Sequence, residues 1–402
     1  MIYIQNGPAW RPKVLDILEN GLADGIIWDP REETIEKVNE VKEKNGLLND
    51  IDNIVDNKWF YKQFQNSELK KLEGLDYMPS EVIDRSFLRN SQKLEESVVK
   101  CFDYQKKYNV NKLLLPTVYL SSFDGRIVDK IFDMCEFAIK YKKNNNISEK
   151  LYAAIVVQEN AFNNMNDVND FVSDFGNYCG EIDGIYIVID RDKSDSIRHN
   201  FDSTRLLNVM NFNYSLDNAN FDIIYGYCGL ESLLLVASGA NSVASGWFYS
   251  LRKFNRQEKG LEAYQGQGRH IKRYTSIKIL HEVKMEEILF QAMPENKDKV
   301  YDLIVGNTEI DESIRNSQNI EQVSLNTTYL QYFEALNELL NPMKDMDIEE
   351  RVIYADKIIN NALDNIDKYN HLNPKPLTAI TNLHIKNYQV ALDEFKKVHY
   401  ID

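Results

Sequence analysis

Tyr152-Ala153-Ala154-Ile155-Val156-Val157 is apolar at every position and ends abruptly in the polar triplet Gln158-Glu159-Asn160. A strand with one wet face alternates apolar and polar residues. A run with no alternation marks a strand covered on both faces, as in parallel sheets. Gly184-Ile185-Tyr186-Ile187-Val188-Ile189 repeats the pattern and ends in Asp190-Arg191-Asp192. Towards the N-terminus lie Lys112-Leu113-Leu114-Leu115, Asn53-Ile54-Val55, Asp24-Gly25-Ile26-Ile27-Trp28 and Ile2-Tyr3-Ile4-Gln5. Towards the C-terminus lie Asp222-Ile223-Ile224-Tyr225-Gly226 and Asn241-Ser242-Val243-Ala244. The intervals read as helices. Pro12 opens the first, and Val128, Ile131, Phe132, Cys135 and Ile139 form a core-facing stripe at helical spacing. Eight strands alternating with helices predict an α/β fold, a (β/α)8 TIM-type barrel over 1–274, with an open doubly wound sheet as the alternative.

The interval at about 57–111 is too long for one connection and reads as an insertion bearing Trp59, Phe60, Tyr61 and Phe64. After about residue 275 no further β run is evident. Tyr329, Phe333, Leu336 and Leu340 recur at helical spacing, as do Val352, Ala355, Ile359, Ala362 and Ile366. Residues 275–402 therefore read as an all-helical extension, packed on the barrel or on a protein partner. No internal repeat stands out.

The 402 residues carry 47 Lys and Arg against 62 Asp and Glu, a net charge of −15. With 43% hydrophobic residues, this composition excludes a disordered or fibrous chain. Cys101, Cys135, Cys179 and Cys228 show no paired spacing, so neither a zinc site nor a disulfide framework is expected, and no cofactor is indicated. There is no signal peptide and no run long enough to span a bilayer, so a cytoplasmic protein without a membrane partner is expected. The acidic balance argues against a protein that simply coats nucleic acid, which needs clustered cations.

In parallel barrels the chemistry sits at the C-terminal strand ends, where the βα loops converge. Those ends carry Gln5-Asn6, Asp29-Pro30-Arg31, Asp56-Asn57-Lys58-Trp59, Pro116-Thr117, Gln158-Glu159-Asn160 and Asp190-Arg191-Asp192. The last two strands end in Gly226-Tyr227-Cys228-Gly229 and Ser245-Gly246-Trp247. Carboxylates on one rim can divide acid and base roles when their environments separate their pKa values. Asp56, Glu159 and, in a loop, Asp124 are the catalytic candidates. Gln158, Asp190, Gly226, Gly229 and Trp247 are the binding candidates. A strand-end carboxylate also serves as a helix cap or the partner of a nearby arginine. Beyond the last strand comes a basic stretch, residues 252–273, in which Arg252, Lys253 and Arg256 are candidate phosphate binders and Lys259, Arg269, Lys272 and Arg273 add charge. Such a stretch is more often a solvated surface or a salt-bridged contact to the acidic body.

The order of these segments resembles the tRNA-guanine transglycosylase barrels. Asp56-Asn57-Lys58-Trp59-Phe60 stands where that family has an Asp-Ser-Gly-Gly-Phe-Gln box. Ala154-Ile155-Val156-Val157-Gln158-Glu159 is similar to its Gly-Ile-Val-Gln-Gly-Gly segment, and Asp183-Gly184-Ile185 to the strand that follows. Tyr227-Cys228-Gly229 through Ser238-Gly239-Ala240-Asn241 resembles its glycine turn and helix. The likeness covers about residues 50–275. The family's nucleophilic Asp would fall near Ala244-Ser245, where no carboxylate stands, its base-reading Asp falls at Pro116-Thr117 unless Asp124 substitutes, and its Cys-x-Cys-x-x-Cys zinc site is missing. The resemblance implies a pocket for a nucleobase or nucleotide in nucleic acid, with Asp56 as acid/base and Gln158 reading the base edge. Two alternatives stay open: a non-catalytic barrel subunit of a larger complex, and a carboxylate-dependent hydrolase.

Overall fold

A parallel strand leaves both faces to be covered, and the helices between the strands do this. The computed structural model describes residues 1–48, 51–64, 70–191, 200–256, 271–372 and 379–401. The strands are β1 Ile2–Gln5, β2 Gly25–Trp28, β3 Asp52–Val55, β4 Lys112–Leu114, β5 Tyr119–Leu120, β6 Lys150–Gln158, β7 Gly184–Asp190, β8 Asp222–Tyr225 and β9 Ser242–Ser245. They pair in parallel in the order β3-β2-β1-β9-β8-β7-β6-β4, with β5 also on β6. Helices α1 Trp10–Glu19, α2 Ile35–Lys44, α3 Arg85–Leu88, α4 Ser91–Lys106, α5 Asp129–Asn145, α6 Met165–Tyr178, α7 Ser203–Asn218 and α8 Ser232–Ala237 lie between them. This is the (β/α)8 barrel. Its fourth strand comes in two pieces, β4 and β5, with Pro116 between them, a residue that cannot donate to a ladder. The interval after β3 is less of an insertion than its length suggested, because α4 is an ordinary barrel helix.

Among the described residues no backbone ladder joins β3 to β4. Side-chain amides bridge the seam instead. Asn57 Nδ2 donates to the carbonyls of Leu114 (3.0 Å) and Leu115 (3.2 Å), and the Asn53 N–H donates to Asn111 Oδ1 (3.2 Å). Gln105 of α4 clasps Leu114, donating to its carbonyl at 2.7 Å and accepting its N–H at 2.8 Å. These contacts satisfy groups that an open sheet edge would present to other chains.

The barrel floor repeats itself, although the sequence showed no repeat. Tyr3 of β1 lies over Gly25 of β2 and donates to Asp52 of β3 at 2.7 Å. Tyr152 of β6 lies over Gly184 of β7 and donates to Asp222 of β8. A Cβ at either glycine would collide with the tyrosine ring. The match continues outside the ring. The N–H groups of Ile2 and Leu151 go to Asp24 (2.9 Å) and Asp183 (2.8 Å), and those of Asn53 and Ile223 to Asn111 and Asn241. Two halves of four strands thus share one floor plan, too sparse in sequence to register as periodicity.

The extension is not all-helical. Arg273–Ser276 (β10) and His281–Lys284 (β11) form an antiparallel hairpin before the helices α9 Lys297–Ile304, α10 Glu309–Asn316, α11 Leu325–Leu340, α12 Ile348–Leu372 and α13 Leu383–His399. The strands are four residues each and half polar, below what an apolar run can reveal. A boundary at 274/275 would cut β10, and one continuous apolar core runs from Ile2 to Phe395. Among the described residues no helix is long and apolar enough to cross a membrane.

His281 and His384 meet where α13 covers the hairpin, with ring centroids 5.0 Å apart. His384 Nε2 lies 2.8 Å from the Leu280 carbonyl, which makes that nitrogen the donor. Burial, with the neighbouring ring, pushes the His281 imidazole down to about 3, and burial pushes His384 down to about 4. The unfolded chain therefore binds more protons than the folded one below about pH 6.5. Stability is full above that value and falls as the pH drops towards about 4, by up to about 1.4 kcal/mol per pH unit for each histidine. Urea unfolding from pH 7 to 4.5 should show this decline, and H384F should flatten it. An equal decline in H384F would exclude this pair as its source.

Candidate functional site

The mouth of the barrel is built by residues that reach across it. Tyr186 of β7 passes over Gly226, where a Cβ would strike its hydroxyl, and reaches Asp56 Oδ2 at 3.2 Å and Gln5 Oε1 at 3.4 Å. Asp56 follows β3 and is 4% exposed. The ammonium of Lys58, 1% exposed, bonds the same carboxylate, donates to the Tyr227 hydroxyl at 2.5 Å, and lies 4.0 Å from Asp29. Arg31 grips Asp29 through Nε and Nη2 at 3.0 and 2.6 Å, and its guanidinium sits over the Tyr61 ring. Burial would raise the Asp29 carboxyl, but Arg31 and Lys58 outweigh it and hold the group well below the usual carboxylate range. Burial, then the charge of Asp56, pushes the hydroxyls of Tyr186 and Tyr227 far up, so both keep their protons.

Lys58 and Tyr227 touch each other, and both have left-handed backbones, at φ 53° and φ 59°. For a bulky non-glycine residue that conformation costs on the order of 1–3 kcal/mol, and such strain clusters at functional sites. Several buried polar atoms nearby have no hydrogen-bond partner among the described residues: Gln5 Nε2, both amide atoms of Asn6 and the Tyr61 hydroxyl. Phe254 lies over this set with its ring 6.1 Å from Phe60 and 5.4 Å from Tyr227.

A second polar cluster lies on the same rim, at the ends of β6 and β7. Gln158 and Asp190 are register partners. Asp190 accepts from Tyr119 (2.7 Å), from the Arg256 N–H (3.0 Å) and from Arg256 Nε (2.6 Å). Glu159 binds Arg205 at 2.9 Å and faces Arg191 at 3.8 Å, while Arg191 binds Glu231 at 2.8 Å. Burial pushes the Glu231 carboxyl up despite that arginine. Asp190 also forms a bridge with Phe254, so the segment 252–256 continues the sheet at the mouth.

Asp56 is thus central, and Gln158, Glu159 and Asp190 share its rim. Others of the residues singled out by sequence do different work. Arg252, expected at a phosphate, is 6% exposed and turned inward: it donates to Glu282 (2.8 Å) and to the carbonyls of Gly246 and Trp247, and lies 3.3 Å from the centre of the Tyr332 ring. Lys253 is 2% exposed, which also removes it from a solvent-borne phosphate, and Arg256 is bound to Asp190. The alternative of salt-bridged contacts fits these residues. Trp247 is buried and donates to the Pro8 carbonyl at 3.3 Å, a packing role. Gly226 makes room for Tyr186, and the Gly229 carbonyl accepts the Ser232 N–H at 3.2 Å in the turn before α8. Asp124 is exposed in the loop after β5, apart from the buried cluster. Asp192 and the basic residues Lys259 and Arg269 lie outside the described residues.

Sequence reasoning gave no role to Lys58, Tyr186 or Tyr227. Lys58 had a legible signal, a lysine two residues after a strand-end carboxylate in an aromatic context. Tyr186 had none, because only the closed ring carries a β7 side chain to β3. No family model matches the chain, and no curated protein matches it.

Proposed function

We propose that the barrel mouth binds an uncharged, polar heterocycle of nucleobase size and transfers a proton on it, with Asp56 as the acid/base. The observation that carries this reading is the Asp56 carboxylate held between the Lys58 amine and the Tyr186 phenol, with Lys58 fixed in turn against Tyr227 by two left-handed backbones. A carboxylate between two such donors can take up a proton and return it without bulk water. The mouth pairs two carboxylates with two cations, Asp29 with Arg31 and Asp56 with Lys58, so its charge balances. That balance favours a neutral ligand over a phosphate. The Asn6 amide offers a donor and an acceptor side by side, the complement of a base edge. Gln158 at the rim is a further reader of that edge.

The reading is tested by calorimetric titration with a panel of free nucleobases and nucleosides, and with tRNA across a salt series. Saturable binding of a base, lost in D56N, is expected. A protein that binds no base at millimolar concentration, but binds tRNA with a steep salt dependence, would require a phosphate-reading site instead.

The non-catalytic reading has one observation of its own. The cations expected to be available at the rim, Arg252 and Arg256, are bound to Glu282 and Asp190. The same titration separates the two readings, because a scaffold binds neither bases nor tRNA and co-elutes with a protein partner.

A further inference from the structure

Away from the buried mouth, α3 and the start of α5 border a groove of about 720 Å³. Arg85, Arg89, Arg126 and Lys130 line it, with Asp129 as the one carboxylate of the lining. Lys130 is engaged by Asp133 at 2.7 Å. Among the described residues the other three guanidinium groups have no carboxylate within salt-bridge distance. On a chain of net charge −15 this is unexpected, since acidic partners are abundant. Arg85 and Arg89 stand one helical turn apart on one face of α3 and its C-cap, a like-charge spacing that disfavours the helix. Arg126 faces them from the loop that precedes α5. The N-terminal turn of α5 has no side-chain cap at Val128, so its dipole adds positive potential to the groove. Leu88 and Ile127 supply an apolar floor between the cations.

We infer that this groove is a binding site for a nucleoside polyphosphate, its phosphates on Arg85, Arg89 and Arg126 and its base against Leu88 and Ile127. The volume lies within the range of small-ligand pockets. Guanidinium forks match phosphate oxygens in pairs, which three converging arginines exploit better than lysines would. The net charge decides between a compact ligand and a nucleic-acid strand. A strand would extend beyond the groove along a chain whose net charge of −15 repels it. A compact triphosphate keeps its charge within one screening length, roughly 8 Å at physiological salt, of the arginines. The inference is independent of the reading of the barrel mouth.

The test is titration of the full chain at about 0.15 M salt, where the screening length is roughly 8 Å, with ATP, GTP, adenosine, inorganic tripolyphosphate and a single-stranded RNA of about 20 nucleotides. The expected result is saturable binding of a nucleoside triphosphate that weakens at least about tenfold in R89E/R126E. Binding of adenosine, which carries no phosphate, should be the same in that variant as in the wild type. Both arginines are exposed, so the double variant should keep its thermal melting point, and that is checked first. Absence of saturable nucleotide binding, or binding that survives R89E/R126E, overturns the assignment. Tripolyphosphate binding as tightly as ATP overturns the base contact, and RNA binding more tightly than either overturns the compact ligand.

Discussion

Replacing Lys58 with methionine is expected to destabilise the protein by about 3–5 kcal/mol at neutral pH, the usual result of stripping one partner from a buried ion pair. The variant keeps Asp56 buried, with the Tyr186 hydroxyl and the backbone N–H of residue 58 as donors to it. Its carboxyl must then be protonated or carry an uncompensated charge. Loss of the counter-charge favours the neutral carboxyl over the charged one in the folded variant. The folded variant thus binds the extra proton, so the loss of stability should be smallest near pH 4 and grow as the pH rises. Urea unfolding of wild type and K58M at pH 4.5 and 8 measures both the loss and its slope. The double variant D56N/K58M should recover most of the stability, because it removes both charges. It should not recover base binding. That split separates a structural ion pair from a working one. Equal unfolding curves for wild type and K58M would show that the ammonium is not held as described.

Arg252→Met should cost a similar amount, on the order of 3–5 kcal/mol, because it too strips one partner from a buried ion pair. Glu282 is 3% exposed, and its Oε2 has no hydrogen-bond partner among the described residues. Removing the guanidinium leaves the carboxylate buried without a counter-charge and withdraws the donors from two carbonyls. It also strips the cation from the Tyr332 ring of α11, which joins the barrel to the extension. Chemical unfolding and limited proteolysis are expected to show α11 and the hairpin released first. Ligand affinity at the mouth, measured on the protein that remains folded, should be unchanged. A variant of full stability with weakened phosphate binding would return Arg252 to the role its sequence context suggests.

The contrast between these two residues shows what the chain discloses along its length. A basic stretch after the last strand looks like a phosphate site, because sequence reports charge but not direction. Arg252 points into the protein because Glu282, thirty residues away, is buried beside it. Asp56 was legible because its position follows from counting: it ends a short apolar run, and parallel strands put all such ends on one rim. The helical stripes of α11 and α12 were legible for the same reason, since periodicity is local. The hairpin β10–β11 was not, because four half-polar residues leave no period to read.

The unalternated runs and their spacing determine by themselves a parallel sheet covered on both faces, which leaves a closed barrel or an open doubly wound sheet. They also fix which end of each strand carries polar groups. Ring closure alone decides the company those groups keep. It lays Tyr186 across the barrel to Asp56, sets Tyr3 and Tyr152 over their glycines in two matching halves, and turns Lys58 and Tyr227 into contact. The hydrogen bonds Tyr3–Asp52, Tyr152–Asp222, Tyr186–Asp56 and Lys58–Tyr227 join residues 49 to 169 positions apart. Over such separations side-chain geometry depends on how strands far apart in the chain meet, which no local pattern encodes.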